Sequence, residues 1–177
     1  MEKQVSNWLT ISGKPQPKRE QFPKREDFTL WFELMLEEIV ETVDSADYET
    51  ILKCQEIMKR KVKTLVKPQE GKQADIVEFI DGICDVPVVH SNLIHFAGMV
   101  DSFEGYMDEV MLSNFSKFCE TEEIAKESVE KYKDGTHPFG KGKKINASYR
   151  NNGDIFIIFD SSNGKLLKSV NFVEPNI

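Results

Sequence analysis

The chain has 177 residues, 40% of them hydrophobic and 30% charged, enough for one core with a small appendage. Its formal net charge is -7 and its sequence pI is near 5.1, which argues against a binder of nucleic-acid backbones but not against a nucleotide whose charge a metal carries. Cys54, Cys84 and Cys119 have no paired spacing and read as reduced thiols of a cytoplasmic protein, and no run is long and apolar enough to predict a membrane span.

The first segment, 1–26, lacks the apolar stretch of a secretion signal and is broken by Pro15, Pro17 and Pro23. It predicts a short helix followed by an extended arm. From 27 to 45, Phe28, Phe32, Met35, Ile39 and Val43 recur at helical spacing. A second helical pattern covers 47–66, with Tyr48, Ile51, Leu52, Met58, Val62 and Leu65, and the stretch holding Pro68 and Gly71 ends it. A third helix starts near Gln73 and runs past Asp85, with a kink expected at Pro87, where a backbone donor is lost. A fourth covers 103–118. A fifth opens at Thr121, where Glu122 and Glu123 complement the helix N-terminus, and stops at Asp134-Gly135.

Beyond Gly135 the pattern alternates as strands do, in INASYR, DIFIIFD and KLLKSVNF. Asn151-Asn152-Gly153 and Ser162-Asn163-Gly164 are turn signals between them. The chain therefore reads as mainly α: an N-terminal helix and arm over 1–26, a helical bundle over 27–134, and a β-hairpin or three-stranded appendage over 135–177.

Two acidic sets carry the chemistry. Glu33, Glu37, Glu38 and Glu41 stand in WFELMLEEIVET, and Glu78, Asp81 and Asp85 in IVEFIDGICDVPVV. Positions three, four or seven apart share a helix face, so Glu38 pairs with Glu41, and Glu78 with Asp81 and Asp85. A single such set is most often a solvated face. Two sets, each embedded in apolar residues on helices that can face one another, favour a hard divalent cation, Mg²⁺ or Mn²⁺, as their neutraliser. His90, His95 and His137 lack the Glu-x-x-His spacing of bundle di-iron sites.

Gly135-Thr-His-Pro-Phe-Gly140-Lys141-Gly142 nearly matches a phosphate-binding loop. It has glycine where the hydroxyl residue belongs, and it follows a helix rather than a strand, so it reads as a connector. Ser113-Asn114-Phe115-Ser116-Lys117 closes the fourth helix. It reads either as ordinary helix-end chemistry or as a polar triad, Ser113, Asn114 and Lys117, able to contact a phosphate or base.

The order Glu37-Glu38-Ile-Val-Glu41, then Glu78-Phe-Ile-Asp81, resembles the EExxE…ExxD signature of MazG-like all-α nucleotide pyrophosphohydrolases. Within them the chain looks most like the phosphoribosyl-ATP pyrophosphohydrolase-like group of phages and bacteria. Asp81-Gly82-Ile83-Cys84-Asp85, the run Glu109 to Lys117, and the ending after Gly164-Lys165-Leu166-Leu167-Lys168-Ser169 match that group's runs. The chain departs from them at Met111-Leu112, where a His-Arg pair is frequent, and at Pro87-Val88, where an aromatic usually stands.

The resemblance implies a four-helix bundle that assembles as a homodimer or homotetramer. It implies Mg²⁺-dependent cleavage of a nucleoside triphosphate or related nucleotide, such as phosphoribosyl-ATP, to the monophosphate and pyrophosphate. Glu38, Glu41, Glu78, Asp81 and Asp85 would hold the cation. Glu37 or Glu78 would serve as general base, with Glu38 and Glu41 completing the catalytic set. Ser113, Asn114 and Lys117 would meet the substrate. Neither nucleic acid nor membrane is an expected partner. The alternatives are a non-catalytic nucleotide- or metal-binding module and a helical interaction protein.

Overall fold

The computed structural model describes residues 2–64 and 70–177. The chain is mainly helical, with one small antiparallel sheet. In order, the described elements are α1 (Glu2–Ile11), α2 (Arg25–Asp44), α3 (Tyr48–Val62), α4 (Ile76–Phe96), α5 (Phe103–Phe115), α6 (Glu122–Asp134), β1 (Ala147–Asn152) and β2 (Ile155–Asp160). The expected end of the second helix, with Leu65, and the breaker Pro68 lie outside the described residues. The chain divides into two compact units, one of Arg19–Pro87 and one of Met1–Lys18 with Val88–Ile177.

In the unit Arg19–Pro87, α2 packs on α3 across a short turn. Asp47 starts α3, its carboxylate accepting from the Thr50 N–H at 3.1 Å and the Thr50 hydroxyl at 2.7 Å. Asp75 does the same for α4, accepting from the N–H groups of Val77 at 2.8 Å and Glu78 at 3.2 Å. The arm before α2 has a fixed role. Phe22 stacks on Phe28 of α2 and tilts against Phe79 of α4, with centroids 5.3 and 5.0 Å away. No residue of α2, α3 or α4 is buried, and the four-helix bundle core that the resemblance implies is not confirmed. α4 is helical throughout, Pro87 included.

The other unit holds a conventional core. Cys119, Ala125, Val129, Tyr132, Ala147, Ile158 and Leu167 bury one another, with Ile124, Ile145, Tyr149 and Phe156 packed around them. Apolar positions of α6 meet the inward residues of the hairpin, as period-3.6 and period-2 patterns require. The Thr121 hydroxyl caps α6 by accepting from the Ile124 N–H at 3.3 Å. Gly135 ends the helix at φ 84°, where an added Cβ would lie 3.2 Å from the Gly142 carbonyl.

β1 pairs with β2 from Ala147↔Asp160 to Asn152↔Ile155. Of the two arrangements expected, the hairpin is the one found, and the third run contributes only an isolated bridge, Phe159↔Leu166. Its backbone donors leave the ladder after Leu167: the Val170 N–H donates to Ser128 Oγ at 3.0 Å and the Val173 N–H to Ser116 Oγ at 2.9 Å. Gly135 to Gly142 links α6 to β1, the reverse of the strand-to-helix order a phosphate loop needs. Cys54, Cys84 and Cys119 are free thiols, and burial pushes Cys119 up to about 11. Among the described residues, no helix is long and apolar enough to cross a membrane.

Candidate functional site

Both acidic sets lie in the unit Arg19–Pro87. Glu33, Glu37, Glu38 and Glu41 stand on α2, and Glu78, Asp81 and Asp85 on α4, all exposed. Their apolar neighbours are exposed as well: Leu36, Ile39 and Val40 on α2, and Ile80, Ile83 and Val86 on α4. Carboxylates interleaved with uncovered aliphatic side chains make a surface that is costly to leave in water and costly to bury uncompensated.

The donor set suits a hard cation, because every candidate ligand on these faces is a carboxylate. Its arrangement in the single chain does not. Among the described residues, no three His, Cys, Asp or Glu side chains come together to hold a metal ion. The ring contacts that join α2 to α4 act near their N-terminal ends, with Phe28 and Phe79 6.2 Å apart. Glu37 and Glu38 stand about 14 Å further along α2 than Phe28, at 1.5 Å of rise per residue.

Ser113, Asn114 and Lys117 lie in the other unit, at the end of α5, and they are tightly built. Ser113 is buried. Its carbonyl accepts from the Ser116 hydroxyl at 2.7 Å, while the Ser169 hydroxyl donates to the Ser116 carbonyl at 2.9 Å. Lys117 Nζ donates to Asn114 Oδ1 at 2.6 Å. From α1, the Trp8 indole N–H donates to the Asn114 carbonyl at 3.1 Å. Of the residues at the departures from the resembled pattern, Met111 is buried in the core and Leu112 is exposed.

Sequence reasoning missed Phe22 and Trp8, which fix the acidic helices and the polar run respectively. Both sit in the segment read as helix and arm, and each acts on residues far along the chain. For Phe22 the signal is an aromatic beside Pro23, and for Trp8 an aromatic on a short terminal helix.

No protein-family profile, curated protein or solved structure matches this chain.

Proposed function

We propose that the protein is a cytoplasmic, Mg²⁺-dependent nucleotide pyrophosphohydrolase that cleaves a nucleoside triphosphate or related nucleotide to the monophosphate and pyrophosphate. The observation that carries this reading is the ordered carboxylate pair of sets, Glu37-Glu38…Glu41 and Glu78…Asp81…Asp85, on two helices of one compact unit. The resemblance to MazG-like enzymes supplies the reaction.

The open faces of α2 and α4 supply the second half of the proposal. A second copy of the chain would cover Ile39, Val40, Ile83 and Val86, completing a four-helix bundle as a homodimer or homotetramer. That packing would draw the carboxylates together. Glu38, Glu41, Glu78, Asp81 and Asp85 would then hold the cation, Mg²⁺ or Mn²⁺. When bound, the cation offsets phosphate charge and acidifies the attacking water. Glu37 or Glu78, whichever is less engaged, would take the proton from that water. Lys117 would supply positive charge to the phosphates, and Ser113 and Asn114 polar contacts.

A helical interaction protein is the competing reading, favoured by the same exposed apolar faces. Pyrophosphate release from a panel of nucleoside triphosphates with Mg²⁺ tests the proposal. Release of pyrophosphate supports hydrolysis. Orthophosphate as first product, or no turnover of any nucleotide, overturns it.

A further inference from the structure

The polar run at the end of α5 is not held by its own helix alone. α1 lies against α5, anchored at one end by Gln4, whose amide donates to Asp108 Oδ1 at 3.1 Å. At its other end two residues of the hairpin satisfy its terminal carbonyls: Asn152 donates to the Ile11 carbonyl at 2.6 Å and Arg150 to that of Ser12. The last carbonyls of a helix have no partner within it, and here side chains from about 140 positions away provide one. A helix pinned at both ends is a fixed platform.

On that platform Trp8 touches three residues at the end of α5. Its indole N–H bonds the Asn114 carbonyl at 3.1 Å. Its ring stacks on Phe118, with centroids 6.1 Å apart and planes 26° from parallel. Its face also lies 5.7 Å from Lys117 Nζ, within reach of the attraction between a cation and an aromatic ring. The same ammonium is held by Asn114 Oδ1. Trp8 thus contacts the Asn114 backbone and the Lys117 ammonium directly, and reaches the Asn114 carboxamide through that ammonium. A lysine otherwise carries among the most rotamer freedom of any side chain, and restricting it in advance removes an ordering cost from ligand binding.

We propose that Trp8 is a positioning residue, which fixes the Lys117 ammonium and the Asn114 carboxamide to receive the phosphate chain of the nucleotide. The inference rests on the pyrophosphohydrolase reading for its ligand, and on the contacts of Trp8 for its geometry.

The test is the reactivity of Lys117 in the full chain, read by mass spectrometry after brief acetylation. The proteins are wild type, Trp8→Phe, Trp8→Leu and Gln4→Ala, each first shown to be folded by its melting curve. Millimolar inorganic pyrophosphate with Mg²⁺ should protect Lys117 in the wild type. Protection should weaken in Trp8→Phe, which keeps a ring without the N–H, and be lost in Trp8→Leu. In Gln4→Ala protection should persist, because Arg150 and Asn152 still hold the end of α1 nearer Trp8. The KM for a hydrolysed nucleotide should rise about tenfold in Trp8→Leu, the size of one lost charge-assisted contact, with kcat held within about twofold.

Equal protection of Lys117 in wild type and a folded Trp8→Leu overturns the proposal, as does a wild type that pyrophosphate does not protect. So does a Trp8→Leu that loses protection but keeps its KM, because Trp8 would then be only a helix-end clamp. A wild type that hydrolyses no nucleotide, yet shows Trp8-dependent protection, separates the two ideas. Hydrolysis then fails, while Trp8 stands as the organiser of an anion site.

Discussion

The ring of His137 lies flat on that of Tyr132, with centroids 3.7 Å apart and planes 8° from parallel. His137 Nδ1 accepts from the Phe139 N–H at 3.2 Å, so in the neutral ring the proton sits on Nε2. That Nε2 is buried and, among the described residues, has no hydrogen-bond partner. Burial first, and the positive charge of Lys131 second, pull His137 from 6.5 down to about 4.

A pH dependence with a definite sign follows. Between those two values the unfolded chain carries a proton on His137 that the folded chain refuses. Stability from this group is fully present above 6.5 and is lost as pH falls toward 4. The loss should reach about 3 kcal/mol at most, at 1.36 kcal/mol per unit. Asp47, Asp134, Asp160 and Glu122 are held below their ordinary values of 3.8 or 4.5, chiefly by hydrogen bonds, and contribute at lower pH. Urea titrations between pH 5 and 7 cover the upper part of this window. His137→Phe should flatten the slope in that window, and an unchanged slope would refute the assignment.

Assembly predicts a contrast between two kinds of isoleucine. Ile158 is fully buried within its own chain, and Ile158→Ala should cost about 2–5 kcal/mol at any protein concentration. Ile39 and Ile83 are 52% and 48% exposed in the single chain. If a second copy covers them, the wild-type melting temperature should rise with concentration. Ile39→Gln and Ile83→Gln should remove that rise and shift light scattering from a dimer or larger species to the 20.4 kDa monomer. A wild type that is already monomeric at micromolar concentration would sink the proposal of a shared bundle.

The sequence signals that worked were local. Thr121 and Gly135 bound α6 because a hydroxyl at the start and a positive φ at the end are chemical requirements of the helix itself. Gly153, at φ 74°, turns the hairpin for the same kind of reason. The choice between a hairpin and three strands was not legible, because alternation in KLLKSVNF says nothing of where its donors go. Ser128, distant in sequence, takes that of Val170. Periodicity likewise placed Ile39 and Ile83 on helices but not in a core, since a pattern of apolar residues does not state whether its cover is the same chain. Glu37, Glu38, Glu41, Glu78, Asp81 and Asp85 were legible as two helical sets. Among the described residues they form no group of three in the single chain, and spacing along each helix does not state whether two helices bring their faces together.

Millimolar Mg²⁺ or Mn²⁺ should raise the melting temperature of the wild type, because a cation that binds only the folded assembly stabilises it by mass action. Glu41→Gln and Asp85→Asn should each abolish that response. Each should also raise metal-free stability slightly, by relieving repulsion between neighbouring carboxylates. Coincident wild-type curves with and without metal would remove the cation from the proposal and favour an interaction protein.

The most direct measurement is the identity of the first products, followed by phosphorus NMR with Mg²⁺ and a nucleoside triphosphate. The monophosphate and pyrophosphate should form together. Glu38→Gln and Asp85→Asn should each lose activity by about a hundredfold or more, as expected when a group that orders the reacting phosphates is removed. Release of diphosphate and orthophosphate, or full activity in both carboxylate variants, would contradict the assignment of pyrophosphohydrolase chemistry to these helices.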